Sequence, residues 1–189
     1  RGKQATEYRK TTSEGKTFDE SKSESESEVN YVLDFETGWT ISATGTGWSK
    51  STDPWGNWQR TAFEQEYAQI ILKDARLTKQ TTTGMTTFNH DGSFTELGDG
   101  DNFTEYEYDE VGRQTKQTAY SSNRNDDGFG NFSESDTTSE FAKVGGLFKV
   151  KTTKTTSHSE TRDGNKTDSV GPAVVHYDYD DAGLSLIHI

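Results

Sequence analysis

The twelve residues NRNDDGFGNFSE, Asn123 to Glu134, space their side-chain oxygens as a calcium ion requires. Counting from Asn123, Asn125 and Asp127 stand third and fifth, Gly128 sixth and Glu134 twelfth. That is the twelve-residue calcium loop, with Asn in place of Asp at its first position. Asn123, Asn125, Asp127 and Glu134 are therefore the candidate metal ligands, and calcium is the one cofactor the sequence suggests. The eighth position, normally apolar, is Gly130, and both flanks read as strands rather than helices. Asn, Asp and Gly are also the residues of a hairpin turn, so a calcium loop and a plain turn both remain open.

Other chemistry is sparse. His90, His158, His176 and His188 lie far apart, without metal-ligand spacing, and there is no cysteine. No nucleophile-elbow, phosphate-loop or zinc-protease motif occurs, so the sequence carries no signature of an enzyme. Asn102, Asn131 and Asn165 each begin an Asn-x-Ser/Thr acceptor, and all three fall in or just after expected turns, where a sugar could be attached. Trp39, Trp48, Trp55 and Trp58 cluster within twenty residues. Exposed indoles stack on sugars, whereas buried ones fill a core or interface; with so few aliphatics in the chain, the core or interface is the reading taken.

Composition limits the partners. The 189 residues carry a net charge of −12, and only 28% are hydrophobic. An acidic chain without Lys/Arg clusters is unsuited to nucleic acid or anionic membranes. No apolar run is long enough for a transmembrane helix. The absence of cysteine argues against a disulfide-stapled domain. The chain starts at Arg1 without a leader, as a processed or an incomplete N-terminus would.

What positions these residues is a repeat. TKQT occurs at 78–81 and 115–118, and TTKT at 152–155, each 37 residues after the last. Gly56, Gly92, Gly128 and Gly164 follow one another at intervals of 36. A second series, YDEVG, FAKVG and YDDAG, falls between them. Together they predict turns near residues 38, 56, 75, 92, 112, 128, 145, 164 and 183, about every 18 residues. Gly in such turns supplies the positive φ a tight hairpin needs. The segments between them are then strands of about 12–15 residues, far longer than usual. Thr61 to Leu77 also admits a helix, with Thr61 and Glu64 as a capping box, but it occupies a strand slot of the repeat.

The segment ESKSESESEVNYVLDF, Glu20 to Phe35, keeps one alternation throughout. Ser21, Ser23, Ser25, Ser27, Val29 and Tyr31 share one face, and mostly charged residues occupy the other. This predicts one long strand whose polar first half needs a ladder partner, with a solvated leader as the alternative. Those six residues are the candidate assembly surface. Residues 1–28 are expected to be a donated arm, and residues 29–189 the body.

Two resemblances add expectations. YEYDEVGRQTKQT, Tyr106 to Thr118, resembles the tyrosine–aspartate (YD, or Rhs-type) repeat of bacterial surface and toxin-shell proteins, and YDYDDAG, Tyr177 to Gly183, resembles its first half. That family is extracellular and built of stacked hairpins. A strand-forming arm ahead of an all-β body is similar in layout to bacterial pilus subunits, which complete a neighbour's immunoglobulin-like sandwich by donor-strand exchange.

The expectation is therefore an all-β antiparallel meander of long hairpins, arranged as an immunoglobulin-like sandwich. Its function would be that of a structural subunit of an extracellular or cell-surface bacterial fibre. The partner is then a second copy, in a helical filament, with glycans as a further partner. The alternative is a carbohydrate- or partner-binding module of a larger YD-type protein. The terminal LSLIHI is either a closing apolar strand or, as it resembles translated adapter sequence, foreign to the chain.

Overall fold

The computed structural model describes residues 4–71, 74–100, 102–180 and 185–188. Every regular element among them is a strand. In order these are β1 (Gln4–Lys16), β2 (Lys22–Asp34), β3 (Thr40–Thr52), β4 (Trp58–Ile71), β5 (Asp74–Phe88), β6 (Phe94–Leu97), β7 (Asn102–Tyr108), β8 (Gln114–Asp126), β9 (Phe132–Val144), β10 (Leu147–Glu160), β11 (Lys166–Asp168), β12 (Ala173–Tyr179) and β13 (Ser185–His188). All join one antiparallel sheet, ordered as in the chain. β6 and β7 share the slot between β5 and β8, and β11 and β12 both pair with β10. The all-β antiparallel meander expected from the repeat is what forms.

The turns account for the regularity. Gly38, Gly56, Gly92, Gly112, Gly128, Gly145 and Gly164 all have positive φ, at or beside seven of the expected turns. The turn expected near residue 75 falls on the link between β4 and β5, whose residues 72–73 lie outside the described residues. That expected near 183 is likewise outside them. The helical alternative for Thr61 to Leu77 is not adopted, because β4 is paired along both edges, to β3 and to β5.

An immunoglobulin-like sandwich is not what the described residues make. They form one hydrogen-bonded layer, and no second sheet packs against it. The accessible surface is 12768 Å², against about 9,000 Å² for a compact monomer of this mass. Ala43 is the only buried apolar residue among those described. A sandwich needs an apolar face on each sheet, and these strands carry Ser, Thr and charge on both.

Cross-strand rows hold the layer together instead. One row runs Thr52, Trp58, Phe88, Phe94, Asp126, Phe132, Glu160, Lys166 across β3 to β11. Trp58 and Phe88 stack in it, with centroids 6.1 Å apart. The next row on this face runs Glu24, Lys50, Arg60, Thr86, Glu96, Arg124, Glu134, His158, Asp168. Its cations lie over rings of the neighbouring rows: Arg124 over Phe132 at 4.5 Å and Arg60 over Trp48 at 5.7 Å. Arg124 also pairs with Glu134, and His158 with Asp168.

The N-terminal segment requires a correction. Of the arm expected over residues 1–28, the described part, residues 4–28, does not leave the domain. β1 folds back on β2 from Gln4↔Asp34 to Lys16↔Lys22, and β2 pairs with β3 from Lys22 onward. Ser23, Ser25 and Ser27 face Ser51, Ser49 and Gly47, while Val29 and Tyr31 face Gly45 and Ala43. Ser21 lies in the β1–β2 turn. The alternation read from the sequence holds, but the ladder partner belongs to the same chain. The turn is hidden because it uses no glycine. Glu20 takes φ 71, Thr17 N–H donates to Ser21 O and Glu20 N–H to Thr17 O, and the Thr17 hydroxyl donates to Asp19.

Candidate functional site

Hairpin turns at one end of the sheet share a build. In the turn at Asp53, the residue's own N–H donates to Asn57 O and Gly56 N–H donates back to Asp53 O. This is a three-residue loop closed by a positive-φ glycine. Asp53 Oδ1 accepts the N–H groups of Trp55 and Asn57, and Oδ2 accepts Asn57 Nδ2–H. The turn at Asp127 repeats this atom for atom: Oδ1 accepts Phe129 and Asn131 N–H, and Oδ2 accepts Asn131 Nδ2–H. Successive turns are also joined. Asn57 Oδ1 accepts His90 N–H at 2.7 Å, and Asn131 Oδ1 accepts Arg162 N–H at 2.9 Å. The Asn131 amide hydrogen bonds hold the Asp127 carboxyl below its ordinary pKa, and the Phe129 N–H adds to this.

The calcium reading fails on this geometry. Asn123 and Asn125 lie in β8 and Glu134 in β9, where Glu134 faces Arg124 across the ladder. Side chains alternate between faces, so Glu134 lies on the opposite face from Asn123 and Asn125. Asn125 accepts the Thr95 hydroxyl, and Asp127 is spent on its turn. The four residues do not converge. Among the described residues no cluster of three His, Asp or Glu could hold a metal.

The sequons separate. Asn102 is buried in β7, and its Oδ1 accepts Ser122 N–H, so it is not an accessible acceptor. Asn131 is half-buried, with both amide atoms engaged. Asn165 is exposed in the turn after β10. The histidines also stay apart. His90 sits in a turn, His158 Nδ1 lies 2.6 Å from Asp168, and His176 lies 3.3 Å from the Thr152 hydroxyl. His188 stands in register with His176.

The tyrosine–aspartate motif is explained by a turn of the same kind at the opposite end of the sheet. Asp109 Oδ1 accepts Val111 and Arg113 N–H, Gly112 has φ 76, and Arg113 Nε pairs with Asp109 Oδ2 at 3.0 Å. Tyr108 donates its hydroxyl to Leu77 O, 31 residues earlier.

Sequence reasoning missed two features. Trp55 is not core: it is 71% exposed at a turn tip, as is Phe129, and Phe18 is fully exposed in the first turn. The face opposite the aromatic row carries Ser23, Ser51, Gln59, Thr87, Thr95, Asn125, Ser133, Ser159 and Thr167 in one line across nine strands. Every one is a neutral hydroxyl or amide. Where this line crosses β2 to β5, beside the turns at 17–21 and 53–57, it lines a cleft of about 420 Å³.

The fold thus defines an all-β protein of one open layer, built from a repeated hairpin. No family model, curated protein or solved structure matches the chain. No helix among the described residues is long and apolar enough to cross a membrane.

Proposed function

We propose that the protein is a structural subunit of an extracellular bacterial fibre that grows by β-strand addition at the edge of the sheet. The observation behind this reading is β1. It is thirteen residues long and almost wholly exposed, and among the described residues it pairs only with β2. A long strand with one unpaired edge is a template for another chain. Its mixed charges, Glu7, Arg9, Lys10, Glu14 and Lys16, favour a partner edge of matching pattern over indiscriminate pairing. A second copy supplies that edge. Head-to-tail addition that does not close on itself gives a filament. The edge replaces the donated arm as the assembly element.

The test is negative-stain microscopy of the purified chain, with Thr6→Pro and Thr12→Pro as variants, two positions out of phase with the Thr17 N–H that donates into the β2 side, so that their own N–H groups point away from β2. Proline removes a ladder donor but is tolerated on an edge strand. Filaments from the parent chain that disappear in the variants support the reading. Discrete monomers at every concentration refute it.

A second reading has one observation in its favour. Tyr108, Asp109, Gly112 and Arg113 of the tyrosine–aspartate motif each have a bonding role. On this reading the chain is a surface module of a larger YD-type protein, and the same micrographs would show discrete particles.

A further inference from the structure

We propose that the cleft at the turn end of β2 to β5 binds an extended, uncharged polysaccharide, which stacks on Trp55 and Phe18 and hydrogen-bonds to the hydroxyl–amide row. Two observations converge there. The cleft is lined by Ser23, Ser51, Gln59 and Thr87, neutral groups able both to donate and to accept, together with Lys22, Trp58 and the turn-bound Asp53. It lies against the turns carrying Phe18 and Trp55, which are 107% and 71% exposed. A pyranose ring needs this pairing of an apolar platform with polar groups at its rim.

Rigidity is built in. The Trp55 turn is closed by the Asp53 carboxylate and clamped to the next turn through Asn57 and His90. The Trp55 turn is ordered before a ligand arrives, which lowers the entropic cost of binding. Turns at this end recur every second strand, so neighbouring tips stand about 10 Å apart. An extended β-linked chain has a disaccharide unit of comparable length.

Charge and topology select the class. A chain with net charge −12 repels uronate and sulfate polymers. A peptide would need a free ladder edge, and β2, β3, β4 and β5 are already paired on both sides at this end. Sugar recognition needs no edge.

The experiment is isothermal titration of the full chain with cellohexaose and with chitohexaose, and with oligogalacturonate as the anionic control. Trp55→Ala should weaken binding of a neutral hexasaccharide about fivefold to tenfold, the worth of one stacked ring. Ser51→Gln, which fills the cleft and leaves the turn intact, should abolish it. Light scattering of both variants should match the parent chain, so this test is independent of fibre growth. The site is refuted if neither neutral sugar binds, if oligogalacturonate binds as well, or if both variants bind like the parent. A Trp55→Ala change that alters self-association instead also refutes it.

Discussion

The side-chain oxygen of Asn57 accepts the backbone N–H of His90 at 2.7 Å, joining two turns 33 residues apart. The Asn131–Arg162 pair does the same for a later couple of turns. A single layer has little core, so bonds of this kind carry stability that packing supplies elsewhere. Asn57→Ala strips the turn of two side-chain bonds and should cost about 1–2 kcal/mol, read as a lower urea midpoint. Asn131→Ala should cost about as much. Midpoints equal to the parent's would show that the turns are held by their glycines alone.

Acid should unfold the protein through its turns. The Asp34 carboxyl is held below its ordinary value first by the Thr37 hydroxyl, Asp109 first by the Arg113 N–H and Asp127 first by the Asn131 amide. A carboxyl depressed in the fold stabilises it above the unfolded pKa. That contribution is lost as pH falls through the lower folded value. Melting temperature should therefore hold down to about pH 4 and drop beneath it. Asp127→Asn removes one contributor and should make the acid drop shallower, and scans from neutral to acid pH would measure it.

Calcium should do nothing for stability. Asn123 and Asn125 are on one face and Glu134 on the other, so chelation has no site to empty. EDTA should leave the melting curve in place, and a fall that added calcium restores would overturn this geometry.

Two glycines should respond oppositely to a methyl group. A Cβ on Gly47 would lie 2.6 Å from Phe63 Cζ and 2.9 Å from Glu26 O, so Gly47→Ala should destabilise by about 1–3 kcal/mol. A Cβ on Gly84 would meet only the Ala62 Cβ, at 3.6 Å. Gly84→Ala should be neutral or stabilise by about 0.4–1 kcal/mol, through a less disordered unfolded chain. Paired denaturation curves would separate the two.

Expression in a host that glycosylates Asn-x-Ser/Thr should modify Asn165 and leave Asn102 bare. Peptide mass mapping would reveal this directly. Sugar on Asn102 would mean that β7 opens, since Asn102 is buried against Ser122 N–H.

The sequence by itself determined the all-strand character, most of the turn positions and the alternation of the Glu20–Phe35 segment. These are local properties. Gly56, Gly92 and Gly128 mark positive-φ positions without reference to distant residues, and period 2 is a property of one strand. The β1–β2 turn escaped because Glu20 occupies a positive-φ position that residue type alone does not announce. Only the tertiary structure decided register, and register made the candidate site. Ser23, Ser51, Gln59 and Thr87 lie on four strands and become one polar line only once each ladder is fixed. The same alignment split Glu134 from Asn123 and Asn125, because neighbours in sequence point to opposite faces of a sheet. It also decided that the polar half of β2 is paired by β1 and β3 of its own chain, since ladder bonds form wherever an edge is nearest.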